Sequence, residues 1–239
     1  MPQRITGTSW ECCGSTCFYC FDFNSNFWGA LVSQSEIALP HSGVQGEPSP
    51  FAIVSKKLGM WLFIISDAVT FGAMLFSYGY VRNASTDWPH PFKFYPSIVN
   101  VMFMTFVLVT SSLTVLLGLR AANRGNKRSA VGWIGATVAL GILFAALHVR
   151  EWLSLIHEGV GMFHNPWGAP LFGASFFAIT GLHLLHVVSG VLILTVVAIG
   201  YYRARYSTED IEIWALYWHF VDLVWMFVVP FVYLLSVAK

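Results

Sequence analysis

The stretch that decides the fold is LGMWLFIISDAVTFGAMLFSYGY, residues 58–80, which is apolar almost throughout and carries one charged residue, Asp67. A transmembrane helix needs ~20 apolar residues to cross ~30 Å of hydrocarbon, because each residue of an α-helix adds ~1.5 Å. This stretch meets that length, and similar runs follow at 97–119, 130–155, 171–202 and 211–237. The sequence therefore predicts an all-α integral membrane bundle with five transmembrane helices.

The composition indicates the same class of protein. Of 239 residues, 56% are hydrophobic and only 10% are charged, and the mean hydropathy is +0.63. A soluble domain is about 25% charged, and so few charges cannot cover a surface that faces water. The net charge is +1, and the basic residues are scattered between apolar runs, so the composition argues against a nucleic-acid partner.

The linkers between the runs (81–96, 120–129, 157–170 and 203–210) are polar or rich in Gly and Pro, and their basic residues predict the orientation. One side of the membrane would hold Lys56, Lys57, Arg120, Arg124, Lys127, Arg128, Arg203 and Arg205. The other side would hold only Arg82, Lys93 and Lys239. Because cytoplasmic loops carry the excess of Lys and Arg, we expect a cytoplasmic N-terminus and a C-terminus outside.

Residues 1–57 are predicted to form a polar leader on the cytoplasmic side, ahead of a membrane domain at 58–239. All the cysteines of the chain lie in the leader: Cys12, Cys13, Cys17 and Cys20. They include one Cys-x-x-Cys pair, whereas a zinc knuckle usually shows two separated pairs. Three interpretations remain open: a small metal site, a flexible or partner-bound leader with reduced thiols, and a start site assigned upstream of the real one.

Polar side chains inside the apolar runs are the candidate functional residues, because a charged group at the centre of a membrane helix costs about 3 kcal/mol. Residues three apart share a helix face, so three pairs are each predicted to point into the bundle together. The candidates are Asp67 and the pairs His148 with Glu151, His183 with His186, and His219 with Asp222.

Three interpretations of these residues compete. In the first, they hydrogen-bond between helices and stabilise the bundle. In the second, they bind phospholipid head groups or handle protons. In the third, the histidines ligate heme iron. Two histidines three apart on one helix cannot supply both axial ligands. A heme would therefore need His183 or His186 to face His148 or His219.

Three segments resemble one known family. LGMWLFIISDAVTF at 58–71, SFFAITGLHLLHVVSG at 175–190 and YWHFVDLVW at 217–225 resemble the third, sixth and last helices of subunit III of heme-copper terminal oxidases. They occur in the family's order, and the resemblance covers roughly 57–238. By this resemblance we expect the family's first two helices to be absent, because the leader is too polar to supply them, and the chain is similar to the five-helix bacterial form.

The resemblance implies an accessory, non-catalytic subunit of a proton-translocating cytochrome c or quinol oxidase in a bacterial inner (plasma) membrane. Heme and copper would reside in partner subunits, and this subunit would carry no cofactor of its own. Its partners would be oxidase subunits I and II, phospholipids, and a larger respiratory supercomplex that the leader could contact. Its own work would be phospholipid binding, stabilisation of subunit I and support of proton uptake.

Site residues carry over by the same resemblance. Asp67 takes the place of the family's buried carboxylate, which is most often Glu. Glu151 matches the acidic residue at the lipid cleft, and the remaining matches are His183, His186, His219 and Asp222. The alternatives are an accessory subunit of a nitric oxide reductase and a stand-alone heme-binding membrane bundle.

Overall fold

The computed structural model describes residues 55–85, 88, 89, 92, 97–162, 166 and 170–236, all within the compact unit Ile53–Lys239. The predicted leader up to residue 54, with its cysteines, lies outside the described residues, as does Lys239. The helices are α1 (Ser55–Ala84), α2 (Val99–Asn123), α3 (Lys127–His157), α4 (Pro170–Tyr202) and α5 (Thr208–Val228). A π-helical turn, Val229–Tyr233, and a 3₁₀ turn, Leu234–Ser236, follow α5.

Within the described part of the chain, five helical segments are long and apolar enough to cross a membrane, which confirms the predicted fold class. Most of the helices extend beyond the apolar runs, because backbone hydrogen bonding continues into polar residues at the membrane boundary. The predicted linker 120–129 is therefore too long. The turn is only three residues, where Gly125 adopts a φ of +74° and the Asn126 side chain accepts a hydrogen bond from the Ser129 amide.

The last predicted helix, 211–237, is also corrected. It begins earlier, at Thr208, because Ser207 and Asp210 form a reciprocal capping box. Its regular α-helix ends at Val228, and the chain continues as the π and 3₁₀ turns. Pro230 lies at the start of the π turn and lacks the amide hydrogen that would continue the α-helical ladder.

The helices α2, α3, α4 and α5 form a ring: α2 packs on α3 and α5, and α4 packs on α3 and α5. Helix α1 lies on α4 and α5. Much of its apolar surface points outward, as expected of a helix that faces lipid or another subunit. Its strongly exposed apolar side chains include Leu62, Ile65, Val69, Phe76 and Tyr80.

Contacts at both ends hold α1 parallel to α5. At one end, Lys56 Nζ lies 3.2 Å from Asp210 Oδ1 and Lys57 Nζ lies 2.6 Å from Glu212 Oε1. At the other end, the Tyr78 hydroxyl lies 2.9 Å from the Ser236 hydroxyl. The two helices therefore run in the same direction.

The side chain of Trp218 on α5 occupies the centre of the ring and is fully buried. Its indole lies in a slot between two helices that approach closely at Gly141 on α3 and Gly190 on α4. A Cβ atom at Gly141 would lie 2.7 Å from Cη2 of the indole, and one at Gly190 would lie 2.9 Å from Cε3. The indole Nε1 donates a 2.9 Å hydrogen bond to Ser111 Oγ on α2. One side chain thus connects four helices.

Candidate functional site

The first group of polar candidates surrounds Trp225 on α5. His148 on α3 and His183 on α4 are fully buried, with ring centroids 5.4 Å and 5.0 Å from that of Trp225. Phe144 closes the group, with centroids 5.7 Å from His148 and 5.8 Å from His183. Among the described residues, no group hydrogen-bonds to any ring nitrogen of these two histidines. The imidazoles therefore lie in an aromatic environment.

Glu151 lies one turn beyond His148 on α3 and is 8% exposed. Its carboxyl group faces the hydroxyl of Tyr233, which belongs to the π turn after α5. Within the described residues, neither group makes a hydrogen bond of 3.5 Å or less. The predicted pair of His148 and Glu151 thus does point into the bundle, with the carboxyl nearer the C-terminal segment.

A second group joins α1 to α4 near the middle of both helices. His186 Nε2 lies 2.9 Å from Asp67 Oδ2, and the two side chains are 13% and 19% exposed. The His186 backbone carbonyl accepts hydrogen bonds from the hydroxyls of Ser189 (2.9 Å) and Tyr217 (3.1 Å). This network ties α1, α4 and α5 together, and sequence alone did not indicate Ser189 or Tyr217 as members.

The hydrogen bonds of His186 determine where its protons lie. Its Nδ1 is 2.8 Å from the carbonyl oxygen of Leu182, which can only accept, so Nδ1 carries a proton. The 2.9 Å contact between Nε2 and Asp67 also needs a proton between the two atoms. That proton belongs either to an imidazolium beside a carboxylate or to a carboxylic acid beside a neutral imidazole. In both forms, the pair holds one exchangeable proton inside the membrane region.

A third group lies on the seam between α2 and α5. Ser112 donates a 2.9 Å hydrogen bond to Asp222 Oδ2, and its oxygen lies 3.1 Å from His219 Nδ1. His219 and Asp222 are both half-buried. Ser112 was not among the sequence candidates, because a serine in a membrane helix most often bonds its own backbone.

An open groove of about 700 Å³ lies between α1, α3 and α4. Its lining is almost entirely apolar: Met74, Trp152, Ile156, Gly161, Met162, Phe177, Ala178, Gly181, Leu182 and Leu185. None of the seven polar candidates lines it. Trp152 connects it to the first group, since its ring centroid lies 5.5 Å from that of His148.

The seven candidates therefore occupy three separate places. His148, Glu151 and His183 share the Trp225 group, Asp67 pairs with His186, and His219 joins Asp222 through Ser112. His183 and His186 lie three residues apart on α4, yet they contact different helices. The described residues contain no group of three or more His, Cys, Asp or Glu side chains arranged to share a metal ion.

Comparison with known proteins shows which family this sequence resembles. The sequence matches the family model described as cytochrome c oxidase subunit III over residues 36–237. It is 30% identical over 181 residues to cytochrome bo(3) ubiquinol oxidase subunit 3 of Pseudomonas aeruginosa, covering 74% of this chain and 84% of that one. It is 29% identical to cytochrome c oxidase subunit 3 of Alkalihalophilus pseudofirmus (77% and 88% covered) and to quinol oxidase subunit 3 of Bacillus subtilis (76% and 87%).

Proposed function

This chain belongs to the cytochrome c oxidase subunit III family, and from that premise we propose that it is the accessory, cofactor-free subunit of a proton-translocating heme-copper terminal oxidase. Membership makes it a multi-pass membrane protein that works in a complex with other oxidase subunits. In the proposal those are subunits I and II of a bacterial plasma membrane, and subunit I carries the hemes and copper. The observation that carries the proposal is the family match, which takes in all five membrane helices.

Packing around the buried histidines supports a subunit without heme. The axial ligands of a six-coordinate heme lie on opposite faces of the macrocycle, so the two imidazoles would have to be separated by a flat open space. Trp225 and Phe144 instead contact both His148 and His183 and are fully buried themselves. Aromatic side chains therefore pack against both imidazoles, which disfavours a macrocycle between His148 and His183.

Spectroscopy of the purified chain tests the proposal. We expect heme absorption only when a large heme-copper subunit copurifies with the tagged chain in mild detergent, and a colourless chain after the subunits are separated. Mass spectrometry of the copurifying proteins would identify the oxidase branch and separate it from the nitric oxide reductase alternative. A separated chain that keeps stoichiometric heme would overturn the proposal, and His148, His183, His186 and His219 would become candidate iron ligands.

The arrangement of basic residues supports the proposed orientation, with the N-terminus in the cytoplasm. Lys56 and Lys57 contact acidic residues in the first turns of α5, directly after the linker that holds Arg203 and Arg205. The start of α1 and the linker before α5 are therefore at the same end of the bundle. An excess of basic residues at one end is typical of the cytoplasmic side.

The groove between α1, α3 and α4 supports phospholipid binding, because an apolar, open depression on a membrane protein suits an acyl chain. Replacing Ala178 with Trp would fill the groove, and we expect fewer phospholipids to be retained in native mass spectrometry of the intact complex. The matched control is Ala139→Trp, since Ala139 is exposed on α3 and does not line the groove. Equal lipid retention in both variants would argue against this site.

A further inference from the structure

The segment that follows α5, residues 229–236, lies over a buried ionisable side chain; we call it the C-terminal turn. Tyr233 in this turn is fully buried, and its ring centroid lies 4.9 Å from that of Phe92 and 5.6 Å from that of Phe176. Its hydroxyl faces the carboxyl group of Glu151. Both carboxyl oxygens are buried, although Glu151 lies only six residues before the end of α3. The C-terminal turn therefore covers a carboxyl group that is close to one end of the bundle.

The backbone of the C-terminal turn departs from the regular α-helical ladder. Its first part, Val229–Tyr233, is π-helical, and Pro230 has no amide hydrogen to donate to the preceding turn of α5. The last carbonyl groups of a helix also lack partners within the helix, so donors from elsewhere must satisfy them. In this structure those donors are side chains of α1.

Tyr78 and Arg82, one helical turn apart on α1, attach the C-terminal turn to that helix. The Tyr78 hydroxyl donates to the Val232 carbonyl at 3.3 Å, and Arg82 Nη2 donates to the Leu235 carbonyl at 2.8 Å. Because the Tyr78 hydrogen goes to Val232, the Ser236 hydroxyl donates its own hydrogen to the Tyr78 oxygen, 2.9 Å away. We call these three hydrogen bonds the latch.

We propose that the C-terminal turn is a movable cover over Glu151, which the latch holds shut, and that its opening admits water to the Glu151 carboxyl group. The inference goes beyond the proposed function, because it concerns this chain alone and needs no partner subunit.

Opposing free energies act on this cover. Within the described residues, neither carboxyl oxygen of Glu151 makes a hydrogen bond. Burying a polar group without a hydrogen bond costs free energy, which hydration recovers when the cover moves away. The latch and the aromatic packing of Tyr233 favour the shut position. Weakening the latch therefore shifts the balance towards the open position.

The buried histidines of the same group are enclosed differently. The rings of His148 and His183 pack against Phe144 and Trp225, which lie within the regular helices α3 and α5. Exposing either imidazole would require those helices to separate. Glu151 instead faces a short turn that hydrogen bonds attach to α1, so a local movement of that turn is enough to expose its carboxyl group.

Labelling of carboxyl groups tests the cover in the full-length chain. Native membrane fragments would be treated with a water-soluble carbodiimide and glycine ethyl ester, and the labelled residues would be identified by mass spectrometry. In the parent, we expect Glu151 to react far more slowly than Glu158, which is exposed just after α3. In Tyr78→Phe, we expect Glu151 to react about 2- to 12-fold faster than in the parent, the shift in population produced by losing one hydrogen bond.

Two further variants make the test specific to the latch. Tyr80→Phe is the matched control, because it removes the same hydroxyl from the same helix at a position that is 70% exposed and outside the latch. We expect it to react at the parental rate. Arg82→Met removes the bond to Leu235, and since Arg82 is not part of the buried core, the bundle should still fold. We expect faster labelling of Glu151 in this variant too.

The opposite results are equally clear. Labelling of Glu151 at the parental rate in both latch variants would overturn the proposal, as would an equal acceleration in Tyr80→Phe. A parallel acceleration at Asp67, near the middle of α1, would mean that the whole bundle loosens, and the cover would again be wrong. Because the labels are read on this chain, these outcomes do not depend on whether a heme-bearing subunit copurifies.

Discussion

Replacing Gly141 with Ala is expected to lower the free energy of unfolding of the bundle by about 1–3 kcal/mol, the usual cost of forcing an extra methyl group into a filled core. The new Cβ would lie 2.6 Å from Cγ2 of Val191 and 2.7 Å from Cη2 of Trp218. Trp218 cannot move aside easily, because its indole is fully buried and its Nε1 is hydrogen-bonded to Ser111. The added methyl group must therefore push α3 away from α4 and α5.

The same helix offers a control that carries the same chemical change. Apart from the local helix backbone and the two flanking residues, no atom of the described residues lies within 4 Å of a Cβ placed at Gly135. Gly135→Ala is therefore expected to leave stability unchanged or to raise it by about 0.5–1 kcal/mol, because alanine favours the helix more than glycine does. Thermal unfolding of both variants in detergent, followed by tryptophan fluorescence, measures the difference. Equal stability in the two variants would show that the Trp218 slot is not tightly packed.

A compensating substitution shows whether the stability lost in Gly141→Ala comes from crowding in the Trp218 slot. Trp218→Phe removes the outer part of the indole and its hydrogen bond to Ser111, so alone it should destabilise the bundle. Combined with Gly141→Ala, the smaller ring leaves room for the new methyl group. We expect the double variant to be destabilised by less than the sum of the two single destabilisations, because residues in contact are coupled in a double-mutant cycle. If the two destabilisations simply add, the effect of Gly141→Ala does not arise from its contact with Trp218.

The number and the class of the helices could be predicted from sequence because they depend on length and hydropathy, which are local properties. The role of Gly141 could not. It lies in the same apolar run as Gly132 and Gly135. At these two positions, no described residue beyond the local helix backbone and the flanking residues has an atom within 4 Å of the Cβ position. Only the arrangement of α3, α4 and α5 distinguishes them, because the indole that fills the slot comes from a helix more than 70 residues further along the chain.

The polar candidates show the same limit. A spacing of three places His183 and His186 on one side of α4, but a helix face is wide enough to meet two neighbours. His183 contacts Trp225 on α5, while His186 contacts Asp67 on α1. Ser112 was missed because a serine in a membrane helix carries no signal of its own until α2 and α5 bring it to Asp222. Charged residues could thus be recognised as unusual, whereas their partners required the packed structure.

Asp67→Asn is expected to slow proton uptake or shorten the turnover lifetime of the assembled oxidase while leaving its heme content unchanged. An Asn amide can donate to Nε2 of a neutral His186, so the contact between α1 and α4 is kept. The amide cannot exchange a proton with the imidazole, so the pair loses the proton it holds. A residue that acts at a distance on a partner's reaction typically changes the coupling free energy by ~0.5–2 kcal/mol. This corresponds to a decrease of about 2- to 30-fold in the proton-uptake rate.

Two further variants separate proton exchange from packing. Ser66→Ala changes a neighbouring polar residue whose hydroxyl, among the described residues, bonds only the Phe63 carbonyl of its own helix, so it should behave like the parent. Asp67→Leu removes both the proton and the contact, so it should also weaken the attachment of α1, measured as faster proteolysis or loss of the subunit. Stopped-flow proton uptake and the number of turnovers before inactivation give the functional readout. If the Asn variant matches the parent in both while the Leu variant fails, the pair serves only to attach α1 to α4, because Asn keeps the contact but has no exchangeable proton.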